Sequence, residues 1–148
     1  MSKRMKVAFV CHALALLDIA AVGVIYLSRT QFMHYHAVAL GMSWGDVNQT
    51  LQILLLALIR SLGGACLATA LAMGILLMIP FRKGIFWARW AIPVVGLVAL
   101  LPMLYATLSV ALNTPATPPW MFVLLLILLL IVGLILSLER KRGEGVIT

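Results

Sequence analysis

Two ionisable residues stand inside long apolar runs, and they are the first candidates for chemistry. Asp18 interrupts VAFVCHALALLDIAAVGVIYL, and Arg60 interrupts LLLALIRSLGGACLATA. Within hydrocarbon a charged side chain has to pair, face water or reach the surface, so such residues are functional candidates by default. Asp18 has a further option. Left unpaired in a low dielectric, a carboxyl is favoured in its neutral form and can bind and release a proton. Arginine has no such escape, because its guanidinium stays protonated. A third grouping, His34-x-His36 followed by Asp46 and Gln49, forms a polar cluster between two apolar runs. It invites a metal, but an H-x-H pair without further ligand spacing is not a specific metal signal, and neither a metal nor another cofactor is expected. His12, the remaining histidine, is read as an interfacial or helix-bonding residue, and it lies too far from the other two to share a haem with them. Cys11 and Cys66 lie in separate apolar runs, form no C-x-x-C redox pair and are read as small hydrophobes.

The composition identifies what must position these groups. Hydrophobic residues make up 64% of the chain and charged residues 10%, and the mean hydropathy is +1.15. Those values lie far outside the soluble range, so the fold class is an all-α integral membrane protein. Each span needs ~20 apolar residues, which allows four in this length. The expected architecture is one membrane domain over residues 1–148, a four-helix bundle with spans at 7–27, 51–79, 91–112 and 120–138 and an interfacial segment at 28–50. A cleaved leader is the competing reading of the first run. Its full spanning length and the presence of Asp18 favour a retained span.

Local signals refine the ends. Ser43 and Asp46 have the spacing of a capping box, which sets the start of the second helix near Ser43. Pro80 follows that helix. The loop PFRKGIFWARW then supplies Arg82, Lys83 and Arg89 among Phe81, Phe86, Trp87 and Trp90, the pattern of a cytoplasmic loop with an aromatic belt. Pro102 is expected to kink the third span. Thr117 is placed to cap the fourth helix ahead of Pro118 and Pro119.

With both termini cytoplasmic, Lys3, Arg4, Lys6, Arg82, Lys83, Arg89, Arg140, Lys141 and Arg142 fall inside, against Arg29 outside. The positive-inside rule therefore gives an N-in/C-in orientation. The net charge of +7 belongs to this pattern rather than to a basic stripe, which excludes nucleic acid as a partner. Short loops and plain composition favour a bacterial inner membrane.

Helical geometry then compares the two charges. At ~1.5 Å per residue Arg60 lies ~28 Å from the inner edge and Asp18 ~16 Å, a difference of ~12 Å. That is more than the two side chains comfortably bridge without helix tilt, so pairing is the less favoured arrangement. The alternative satisfies Asp18 through Tyr105, Thr107 or Ser109 on a neighbouring helix and Arg60 at the outer interface. A continuous second helix places Asp46, Gln49, Ile53 and Leu56 on the face of Arg60, as a polar track leading down from the outer loop. Beneath it, Gly63, Gly64, Ala68 and Ala72 form a small-residue ridge suited to close helix approach.

Three functions fit these features. The first is a non-catalytic accessory or structural subunit that stabilises or seals a larger membrane complex by helix packing, with membrane lipids and other subunits or copies of itself as partners. The second is proton-linked transport through Asp18. In helix count and in the position of this carboxylate the chain resembles the small multidrug-resistance exporters, a resemblance that implies exchange of protons for cationic compounds. The chain departs from them in its charge bias, its longer first outer loop and Arg60. The third is a lipid-headgroup-binding protein or enzyme, with Arg60, His34, His36 and Asp46 around an anionic group. The residues supply no nucleophile for such an enzyme, so a non-enzyme is expected. The four-helix plan is also similar to that of DoxX-like bacterial proteins, without a shared motif.

Overall fold

The computed structural model describes residues 2–138 and is all-helical over that range. Five α-helices follow one another: α1 (Lys3–Ser28), α2 (His34–Leu40), α3 (Gln49–Leu76), α4 (Ala88–Asn113) and α5 (Trp120–Leu138). A 3-10 turn at Trp44–Asp46 precedes α3, and a π-helical turn at Leu77–Phe81 extends it. Four of the described helices are long and apolar enough to cross a membrane, with α3 and its π turn counted together as Gln49–Phe81. The short α2 is additional to the four expected helices and lies in the segment read as interfacial. The basic residues Arg140, Lys141 and Arg142 lie outside the described residues.

The long helices run up, down, up, down in the cyclic order α1, α3, α4, α5. α1 packs mainly on α3 and α5, α4 packs mainly on α5, and α1 and α4 scarcely touch. The core between them is apolar and includes Ala15, Ile19, Met73, Ile92, Leu100 and Leu130. On α1 the buried positions are Ala8, His12, Ala15, Ile19 and Gly23, one stripe at three- and four-residue spacing.

Small residues set the closest approaches. Where α1 crosses α3, a Cβ on Gly63 would lie 2.9 Å from the Gly23 carbonyl oxygen and 2.9 Å from the Leu27 amide nitrogen. Backbone meets backbone there, so only glycine fits. Gly96 of α4 similarly receives Leu130 of α5, whose Cδ1 would lie 2.5 Å from a Cβ at that position.

The helix ends depart from expectation in three places. The Ser43–Asp46 box forms, with the Ser43 amide and hydroxyl both donating to Asp46 Oδ2 at 3.1 and 2.7 Å, but it closes only the 3-10 turn. Val47 then takes extended backbone (φ −77°, ψ 131°), and Asn48 caps α3 by accepting the Leu51 amide at 2.9 Å. Gln52 reinforces the junction by donating to the Trp44 and Val47 carbonyls. At the far end Pro80 sits inside the π turn instead of after the helix. This wider turn carries Phe81 into the core, where it is fully buried against Phe9 and His12, so Phe81 is not part of an aromatic belt. Gly84 (φ 76°) closes the link, its amide donating to the Phe81 carbonyl. Thr117 does not cap α5; the Pro118 and Pro119 carbonyls accept its first amides, from Trp120, Phe122 and Val123. α4 runs through Pro93 and Pro102 as one helix.

Candidate functional site

The Gly23–Gly63 crossing positions the arginine that interrupts the second apolar run. Arg60 lies one turn beyond Gly63 toward the α2 end of the bundle, and Arg29 caps α1 at that same end. Arg60 Nη2 donates to the Arg29 carbonyl at 3.3 Å. A helix C-terminus presents orphan carbonyls and the negative end of its macrodipole, and a guanidinium there satisfies both. Arg60 is otherwise exposed, and the Arg29 guanidinium makes no hydrogen bond or ion pair with another described residue.

Asp18 is elsewhere. It lies five residues from Gly23 toward the opposite end, so its axial separation from Arg60 is roughly 12 Å. The two form no ion pair. Asp18 is half-buried and makes no side-chain contact with a described polar group. The hydroxyl partners anticipated on the third span do not serve it, because α1 and α4 are diagonal in the bundle. Thr107 spends its hydroxyl on the Met103 and Leu104 carbonyls of its own helix, and Tyr105 points outward at 76% exposure.

The polar cluster of the connecting segment is divided among local roles. His36 sits in the first turn of α2, where its Nδ1 accepts the Met33 amide at 3.2 Å, and its ring packs against Phe32 and Tyr35. Burial pushes its pKa down from 6.5. His34 and Gln49 are exposed. Asp46 is held below the usual carboxylate range by the Ser43 hydroxyl and amide. The break at Val47 takes Asp46 off the α3 face, so the polar track does not extend to it. No group of three metal-ligating side chains occurs among the described residues. Cys11 and Cys66 are both free thiols.

What these residues frame is a hollow. α2 brings the hydroxyl of Tyr35 to that of Tyr26 on α1, at 3.3 Å. Burial, and then this contact, push the Tyr35 phenol up. Two cavities lie below. One, of about 340 Å³, opens between α3 and α4 and is lined by Leu58, Leu62, Pro102 and Ala106. The other, of about 280 Å³, lies among the helices and is lined by Val22, Cys66, Leu100, Phe122 and Leu126. Tyr26, Tyr35, Ala99, Met103 and Thr107 wall both. The second shares Arg29, Met33 and Tyr35 with a surface dish of about 570 Å³ that also holds Gln31, His34 and Thr117. Asp18 lines none of the three.

At the opposite end the core contains a polar group that sequence reasoning misjudged. His12 is fully buried, neither ring nitrogen has a hydrogen-bond partner, and its ring stands edge-on to Phe81 at 5.7 Å. It is neither interfacial nor bonded. Nearby in the chain's architecture, Arg89 Nη1 donates to the Ser137 carbonyl at 3.0 Å, so the start of α4 holds the last turn of α5. Its guanidinium also lies 5.6 Å from the Phe86 ring centroid. A lone histidine and a loop arginine carry no sequence mark of these roles, which arise only from helix neighbours. Comparison of the chain with protein-family models, curated proteins and solved structures gives no match.

Proposed function

We propose that the chain is a non-catalytic, multi-pass protein of a bacterial inner membrane, with both termini cytoplasmic, that acts as an accessory subunit of a larger membrane complex through helix packing. The orientation rests on the basic residues. Lys3, Arg4 and Lys6 begin α1, and Arg82, Lys83 and Arg89 lie at the α3–α4 link, at the same end of the bundle; Arg29 and Arg60 lie at the other.

The observation that carries the packing role is the unused ridge on α3. Gly63 and Gly64 are adjacent, yet only Gly63 is consumed within the chain. A Cβ on Gly64 would meet nothing within 4 Å, and Ala68, one turn on, is exposed. Ala57, Ser61 and Ala72 continue the line at three- and four-residue spacing. Small residues give poor contact with lipid tails but allow a partner helix to approach closely.

Photo-crosslinking from position 61 in native membranes tests this. A discrete adduct, lost in a Gly64→Leu, Ala68→Leu variant whose unfolding temperature in detergent matches the parent, is the expected result. Absence of any adduct together with a monomeric mass in native membranes overturns it.

A further inference from the structure

The dish and the inner of the two cavities share Arg29, Met33 and Tyr35 as a common wall, and the chemistry on its two sides differs sharply. The dish offers Arg29, Gln31, His34 and Thr117. The cavity behind it is apolar except for Arg29, the two tyrosines, Cys66 and Thr107, whose hydroxyl already bonds its own helix. Such a wall holds water poorly, because a buried water needs two to four polar partners. An apolar occupant would recover the dispersion contacts that an empty space forfeits.

The mouth selects charge. Arg29 lines both the dish and the cavity, Arg60 donates to its backbone carbonyl, and neither arginine has a carboxylate partner among the described residues. Asp46 is engaged by Ser43, and Asp18 is roughly 12 Å below along the axis. Two uncompensated guanidinium groups favour an anion and disfavour a headgroup that adds a cation. We propose that this end of the bundle binds an anionic glycerophospholipid, with its phosphate in the dish against Arg29 and one acyl chain in the cavity below the Tyr26–Tyr35 contact. Arg60 is a positioning residue here, holding the Arg29 backbone at the mouth. The site rests on the membrane orientation given above but not on the packing role of the α3 ridge.

The test is native mass spectrometry of the purified full chain after incubation with phosphatidylcholine vesicles containing a minor share of phosphatidylglycerol. Phosphatidylglycerol is expected to be retained about tenfold above its share in the vesicles. Arg29→Gln should abolish that preference, and Ala99→Phe, which fills the junction of the two cavities, should lower retention of both lipids. Val22→Phe fills the opposite wall if the Ala99 variant does not fold. The Gly64→Leu, Ala68→Leu variant should retain lipid as the parent does, which separates this site from the helix-packing reading. Equal retention of the two lipids by the parent chain, undiminished preference in Arg29→Gln, or displacement of the lipid by inorganic phosphate alone overturns the proposal.

Discussion

The side of the His12 ring that carries both nitrogens faces Gly133 so closely that a Cβ at that glycine would lie 2.6 Å from Cε1 and 2.9 Å from each nitrogen. α1 and α5 are thus fitted to one another by an imidazole lodged where α5 has no side chain. A glycine at this point of α5 offers the ring no side-chain donor or acceptor, and neither buried nitrogen has a partner. An unsatisfied buried polar group is destabilising, so this contact is retained against a local cost.

Substitution at this contact is expected to show strong coupling. Gly133→Ala should lower stability by about 1–3 kcal/mol, since the ring has to leave its rotamer or the helices have to separate. His12→Ala in the same chain should recover most of that loss. Denaturant unfolding of the two single variants and the double variant in micelles measures the coupling, and strict additivity would contradict the geometry.

The adjacent glycines of α3 should behave oppositely. Gly63→Ala forces a Cβ against the backbone of Gly23 and Leu27 and should cost ~2 kcal/mol or more. Gly64→Ala meets open space and should stabilise the isolated chain by ~0.5–1 kcal/mol through helix propensity. Thermal unfolding of both variants in the same detergent checks the sign of each.

Docking of α2 should depend on pH through His36. Its folded pKa is depressed below the ordinary 6.5, so below 6.5 the unfolded segment binds more protons than the folded one. The stabilisation is complete above that value and is lost progressively as pH falls from it toward the folded pKa. Protonation also removes the Nδ1 acceptor for the Met33 amide. Hydrogen exchange of the 34–40 amides should accelerate, relative to intrinsic rates, as pH falls below 6.5. In His36→Phe the ring packing is kept and this dependence should vanish.

At the other end, Arg89→Ala should loosen the last described turn of α5 by removing the donor to the Ser137 carbonyl. A loss of about 1 kcal/mol is expected, with faster exchange confined to the residues before Leu138. Arg89→Lys should restore the charge but only part of the stability, because an ammonium lacks the planar fork.

The sequence by itself determined the helical class, the four long apolar helices and most of their ends, because runs of apolar residues of that length have no other regular structure that satisfies their own backbone. It also located Arg60 one turn from the Gly63 approach, and it kept Arg60 and Asp18 roughly 12 Å apart, since axial rise is a property of the single helix. Tertiary structure decided whatever depends on which helices are neighbours and how they are rotated. Gly63 is consumed by α1 while Gly64 stays open, a distinction of one residue and about 100° around the helix. The π turn rotated Phe81 inward, and the diagonal placement of α1 and α4 deprived Asp18 of its anticipated hydroxyl partners. His12 became a buried packing residue because Gly133, more than a hundred positions away in the chain, leaves room for it, and local periodicity carries no information about such a distant complement.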